Sequence, residues 1–201
     1  MLIAILALSL MPEAPRATTT PATGVTKVVV IASAGSLKVN GRGGATEIKA
    51  TGTAYASTES LLEKTQLVAT RSGSQVTIEA QIPETTVLPS GSLDFDVSVP
   101  ANVAVEVRDG SGSIDIDNVA SVDLNDGSGS IEIENVSGSI RITDGSGSID
   151  VKKVGGSVTV TADGSGSVSV ADVKGDFTVG KKGSGHIDYE RVSGKVNIPR
   201  K

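Results

Sequence analysis

The second half of the chain repeats itself, and that repetition restricts the possible folds more than any other feature. DGSGSIDI at 109–116 recurs as DGSGSIEI at 126–133, DGSGSIDV at 144–151, DGSGSVSV at 163–170 and, in altered form, KGSGHIDY at 182–189. Between these lie NVASVDL (118–124), NVSGSIRI (135–142), KVGGSVTV (153–160), DVKGDFTV (172–179) and RVSGKVNI (191–198). Ile114, Val122, Ile131, Ile140, Ile149, Val158, Val168, Phe177, Ile187 and Val196 lead these units at spacings of 8 to 10 residues. Each unit reads apolar–polar–apolar, as in Ile114-Asp115-Ile116, which on a strand sends the outer two side chains inward and the middle one outward. The Gly-Ser corners supply backbone conformations that other residues resist. A second apolar column, Val119, Val136, Val154, Val173 and Val192, adds one inward side chain at every second corner.

A fixed period of strands that cannot bury their faces alone marks a stacked array. The expectation is an all-β fold: a right-handed parallel β-solenoid, or β-helix, with coils of about 18 residues and an irregular β-rich N-terminal cap. Two strands per coil is the preferred section, with the Val119-type column leaving a three-sided section open. Residues 101–198 would be the repetitive solenoid.

Residues 25–100 would be its irregular N-terminal part. Period-2 segments at 25–31, 36–40, 46–51, 66–70, 75–82 and 93–99 read as strands, the last two ended by Pro83 and Pro100. Ser57–Thr65 carries a helical signal that Thr58 can cap. Residues 1–24 read as signal peptide and linker: an apolar run at 2–10, too short to span a bilayer as a helix, precedes a Pro/Thr-rich stretch with cleavage expected after Ala14 or Ala17. No Lys or Arg precedes that run, and no cysteine follows it to carry a lipid anchor.

The segment LDFDVSVPANVAVEVRDGSGSIDIDNV, followed by the GSGSI and V-SGS units, resembles the bacterial putative-adhesin domain family with tandem GSGD-type strand repeats. That family is related to the head-GIN auto-transporter adhesin domains. The resemblance covers about residues 25–198. It implies a right-handed β-solenoid, export to the cell envelope and no catalytic residues.

Candidate chemistry is sparse. The strongest candidate is the acidic column Asp109, Asp126, Asp144 and Asp163, with Lys182 in the fifth copy. Stacked carboxylates at about 4.8 Å repel, which would invite calcium. The nonapeptide calcium repeat nevertheless places its ligand Asp where this chain has Ile114 and its equivalents. Asp before Gly is also a common turn residue, and a solvated corner screens its charge, so turn structure is favoured over calcium. Gly175–Lys182 approximates a phosphate-binding loop but lacks the closing Ser/Thr and the following helix. His186, the only histidine, takes a corner Ser position with no partner for a triad or a metal.

Acidic pairs such as Asp115/Asp117 and Glu132/Glu134 belong to the repeat. Repetition makes their surroundings alike, whereas acid–base catalysis needs them to differ. Only two Tyr and two Phe are available to stack on sugar rings, only Thr159 and Thr178 line up as an ice-binding array would need, and a net charge of −5 disfavours nucleic acid. No residue is assigned a catalytic, cofactor-binding or metal-binding role, and no cofactor is expected. The functional expectation is a non-enzymatic exported module of the cell envelope, an adhesin that meets a partner protein or surface polymer, with no transmembrane helix in the mature chain. The alternatives are a carbohydrate-active enzyme on a β-helix scaffold and a periplasmic accessory of envelope-stress signalling.

Overall fold

The structure, a computed structural model, describes residues 11–83 and 91–199. The apolar run at 2–10 lies outside the described residues. In chain order the elements are β1 (Glu13–Pro21), β2 (Lys27–Ile31), β3 (Leu37–Arg42), β4 (Glu47–Ala56), α1 (Glu59–Lys64), β5 (Gln66–Ser72), β6 (Gln75–Gln81), β7 (Gly91–Pro100), β8 (Ala104–Asp109) and β9 (Gly112–Asp117). They continue with β10 (Ser121–Asp126), β11 (Gly129–Val136), β12 (Ile140–Asp144), β13 (Gly147–Val154), β14 (Val158–Asp163), β15 (Val168–Val173), β16 (Phe177–Lys182), β17 (Ile187–Val192) and β18 (Val196–Asn197).

The expected right-handed parallel β-solenoid does not form. The strands make two mixed nine-stranded sheets, ordered β1-β4-β7-β3-β9-β11-β13-β15-β17 and β18-β16-β14-β12-β10-β8-β2-β6-β5, which do not close into a helical tube. The domain is an all-β two-layer sandwich. Parallel pairing gives way in the first half, where β4 runs antiparallel to both β1 and β7, and β5 runs antiparallel to β6. Period-2 alternation says which side chains face inward, but it serves parallel and antiparallel partners equally well. The repeat therefore defines strands without defining how the first half pairs.

From β9 onward, successive strands fall on alternate sheets. β9 pairs in parallel with β3, and from β10 onward each strand pairs in parallel with the strand two before it, as β11 does with β9 and β12 with β10. The register is strict: Ile114, Ile131, Ile149, Val168 and Ile187 form one row, and Val122, Ile140, Val158, Phe177 and Val196 another. Where the spacing lengthens to 10, at Val158–Val168, the extra residue is absorbed. Ile142 pairs with Val160 but Thr143 with Ala162, a bulge that keeps Asp144 beside Asp163.

The aliphatic rows fill the space between the sheets, and Val119, Val136, Val154 and Val173 are buried as their corner positions imply. Serines in the corners close hydrogen bonds from one repeat to the next. Ser139 Oγ accepts from the Ser157 amide at 3.1 Å, and Ser157 Oγ from the Asp176 amide at 3.0 Å.

Just before each corner valine, one residue adopts the left-handed backbone region: Asn118, Asn135, Lys153, Asp172 and Arg191, at φ between 51° and 58°. This region costs an ordinary L-residue roughly 1–2 kcal/mol, and asparagine tolerates it best after glycine. Asn135→Ala is expected to lower stability by about 1.5 kcal/mol, while Asn135→Gly stays within about 0.5 kcal/mol of the parent. Urea unfolding of the two variants checks the contrast.

At the other end of the sandwich, α1 begins where the sequence places it. Thr58 Oγ1 accepts the Leu61 amide at 3.2 Å, and Leu61 and Leu62 are buried. The linker stretch, by contrast, is ordered as β1. Its Arg16 guanidinium donates to the carbonyls of Thr65 and Leu62, each at 2.6 Å, placing a cation at the C-terminus of α1. Ala14 and Ala17, the two expected cleavage positions, both fall within this strand.

Candidate functional site

Strand alternation does something unexpected to the acidic column. Val122 and Leu124 face inward on β10, so Asp126, two residues further, faces inward as well, and β12 repeats this with Ile140, Ile142 and Asp144. Asp126, Asp144 and Asp163 are each only 3% exposed, and Asp109 is half-buried. They are not solvated corner residues. Parallel register sets them side by side: Asp109 beside Asp126, Asp126 beside Asp144, Asp144 beside Asp163, and Asp163 beside Lys182. The spacing between neighbours is that of parallel strands, about 4.8 Å.

Backbone amides satisfy one oxygen of most of these carboxyls. Gly110 N–H donates to Asp109 Oδ1 at 2.8 Å, Ser128 N–H to Asp126 Oδ1 at 3.3 Å, and Ser146 N–H to Asp144 Oδ1 at 3.2 Å. Oδ2 of Asp109, Asp126 and Asp144, and both oxygens of Asp163, are buried without a hydrogen-bond partner among the described residues. Burial pushes the Asp126 carboxyl up to about 6, and the flanking Asp109 and Asp144 push the same way. Burial likewise raises Asp109, Asp144 and Asp163, with Asp163 partly relieved by Lys182. Among the described residues, no group of three or more His, Asp or Glu side chains is arranged to hold a metal ion.

The outer face of the first sheet carries a second acidic array. Lys38, Asp115, Glu132, Asp150, Ser169 and Asp188 form one outward row, with Asp117, Glu134 and Lys152 beside it. Cations from the repeat answer several of these acids. Lys152 Nζ meets Asp150 at 2.7 Å, Lys153 Nζ meets Glu134 at 2.5 Å, and Asn135 donates to Asp117 at 2.7 Å. Further along, Arg191 forms a two-point pair with Asp172 at 2.5 and 2.9 Å. On the other sheet, Glu106 lies between Lys27 and Arg108, each 2.6 Å away, and hydrogen bonding to Lys27 holds its carboxyl below the usual range.

A groove of about 630 Å³ opens on the outer face of β3, β4 and β7, lined by Lys38, Arg42, Glu47, Lys49 and Asp96 among others. It gathers carboxylates and cations that sequence spacing kept apart. Register places Asp96 opposite Thr51, four residues along β4 from Glu47. At about 3.3 Å per residue the two backbones are about 13 Å apart.

His186 sits on the exposed corner before β17, with Nε2 3.1 Å from Asp188 Oδ1 and no serine-type nucleophile bonded to it. Gly175–Lys182 contains β16 and is followed by a corner, so its backbone cannot wrap a phosphate. Beyond β17 and β18 nothing covers the inward rows among the described residues. Tyr189 is 50% exposed and Val196 37% exposed, although the Tyr189 ring still tilts against Phe177 at 6.1 Å.

Fold and faces together define an all-β sandwich domain that displays ordered polar rows. Its architecture is shared with a putative cell adhesion protein from Clostridium sporogenes, at a TM-score of 0.53 and 13% identity over 93% of this chain and 99% of that one. A putative adhesin from Bacteroides fragilis (11% identity, TM-score 0.35, 93% of this chain and 97% of that one) superposes too loosely to carry an argument. So does a putative lipid binding protein from Parabacteroides distasonis (12%, 0.36, 92% and 97%). No family model matches the chain, and no curated protein matches it. No helix among the described residues is long and apolar enough to cross a membrane.

Proposed function

We propose that the chain is a non-enzymatic, exported interaction module of the bacterial cell envelope, working as an adhesin. The observation that carries this reading is the outward row Lys38, Asp115, Glu132, Asp150, Ser169 and Asp188, held in unbroken register across six neighbouring strands. Side chains fixed at strand spacing on a stiff sheet can meet a repeating partner with little further loss of freedom, which favours a protein edge or a regular surface polymer over a small molecule. The fold it shares with the Clostridium sporogenes protein supports the same reading.

Residues 1–24 act in this proposal as a leader and linker whose stretch Glu13–Pro21 adds β1 to the first sheet, residues 25–100 as the irregular first half, and residues 101–198 as the repeat-built half. The carbohydrate-active alternative is disfavoured by the repeat, which gives acidic pairs such as Asp115/Asp117 and Glu132/Glu134 like surroundings where acid–base catalysis needs unlike ones. A periplasmic signalling accessory would use the same display face, and the difference is one of location. Protease shaving of intact host cells, followed by mass spectrometry of peptides from 101–201, separates the two. Peptides recovered before lysis, with a periplasmic control silent, support the surface adhesin. Recovery only after the outer envelope is opened overturns it.

A further inference from the structure

The buried carboxyls of Asp109, Asp126, Asp144 and Asp163 have no part in the display face. Their placement requires an account of its own. Three of them are 3% exposed, they stand in strict register, and all five partnerless carboxyl oxygens in the row belong to aspartates one strand from another. A buried carboxylate without a counter-charge is costly, and two at strand spacing are costlier. A protonated carboxyl removes both costs, because it loses its charge and gains an O–H that can donate to the next oxygen in the row.

We propose that this row is a proton-sharing ladder, in which carboxyl O–H groups donate to the partnerless oxygens of adjacent aspartates and clamp the repeats together under acidic conditions. The inference concerns the fold and goes beyond the interaction role. The groups that face the row can be named strand by strand. Across the second sheet they are Asp109 on β8, Asp126 on β10, Asp144 on β12, Asp163 on β14 and Lys182 on β16. On the β2 side the register continues to Ala32, which carries no charge. The corners leading to β9, β11 and β13 bring backbone N–H groups of Gly110 and Ser111, Gly127 and Ser128, and Gly145 and Ser146. Lys182 is the one cation in line, and it reaches only the last rung.

The direction of the pH effect follows from linkage. A carboxyl near 3.8 when unfolded and about 6 when folded binds more protons in the folded state between those values. Stability is therefore greatest at the acidic side of that window and falls as pH rises through 6. For Asp126 alone, the folded-to-unfolded ratio should drop about 30-fold between pH 4.5 and pH 7.5. Glu106 and Asp172, held low by cationic partners, lose their contribution only below the usual carboxylate range and so bound the window from the acid side.

The test is urea unfolding of the full chain at pH 4.5 and 7.5, on the parent and on Asp126→Asn/Asp144→Asn. Asparagine keeps the shape, removes the charge and supplies a donor. The parent should be more stable at pH 4.5, and the variant should lose most of that pH dependence while matching or exceeding the parent at pH 7.5. A parent whose stability is flat or rises between pH 4.5 and 7.5 overturns the ladder, as does a variant with the parent's full pH dependence. Millimolar calcium that raises the parent's midpoint at pH 7.5, but not the variant's, would assign the row to a cation and equally overturn proton sharing. If the double variant fails to fold, side-chain carboxyl NMR of the parent decides. Titration of at least one ladder aspartate near pH 6 supports the proposal, and titration of all four below 5 ends it.

Discussion

Gly129→Ala is expected to lower folding stability by about 4 kcal/mol, a large share of the roughly 5–15 kcal/mol that holds a native domain folded. Gly129 opens β11 at φ +142°, and a methyl group there would overlap the carbonyl oxygen of Gly112 in the neighbouring strand. Gly147 stands in the same relation to Gly129, so the variant's backbone would have to move against both neighbours. The backbone conformation alone is one that L-residues rarely hold, and the steric overlap adds to it. Gly44 provides the control. It also has positive φ (+72°), but open space surrounds it, and Gly44→Ala should lose only about 1 kcal/mol. Chemical unfolding of the pair separates conformational strain from the close approach of strands. Equal losses at the two positions would show that stacking of the corners contributes nothing.

Ile133→Ala should remove about 3–4 kcal/mol, measured the same way. Ile133 is fully buried on β11 and lies in register with Ile116 and Val151. Sheets on both sides of the layer hold the surrounding side chains in place, so the space left behind cannot easily close. The same truncation at Ile187 on the terminal strand β17 should cost about 1 kcal/mol, because that side chain is already partly in water. A loss at Ile187 as large as that at Ile133 would mean that the exposed end is covered in solution.

Much of the second half was legible from its residues. Strand positions, the buried Val119-type column and the Thr58 cap of α1 all follow from periodicity and capping chemistry. Three things did not follow. The two-sheet sandwich replaced the expected β-solenoid because alternation cannot distinguish the antiparallel β4–β7 and β5–β6 pairs from parallel ones. β1 was hidden by its prolines, which normally argue against a strand. Pro15 and Pro21 are tolerated because β1 is the outermost strand and needs partners on one side only. The burial of the aspartates was present in the pattern but masked by local chemistry. Asp-Gly reads as a solvated turn, yet counting inward positions from Val122 through Leu124 reaches Asp126. In the carboxyl row, strand periodicity prevailed over turn preference.

The two sheets run their strands across the long direction of the stack, with β1 at one extreme and β17 and β18 at the other. Mechanical load between the two ends of the chain would therefore act across the strands and open their hydrogen bonds a few at a time. Each released repeat of about 18 residues would pay out roughly 60 Å of chain. Under tension such a module yields in small instalments from its open end, lengthening a tether while the remaining strands keep their partners.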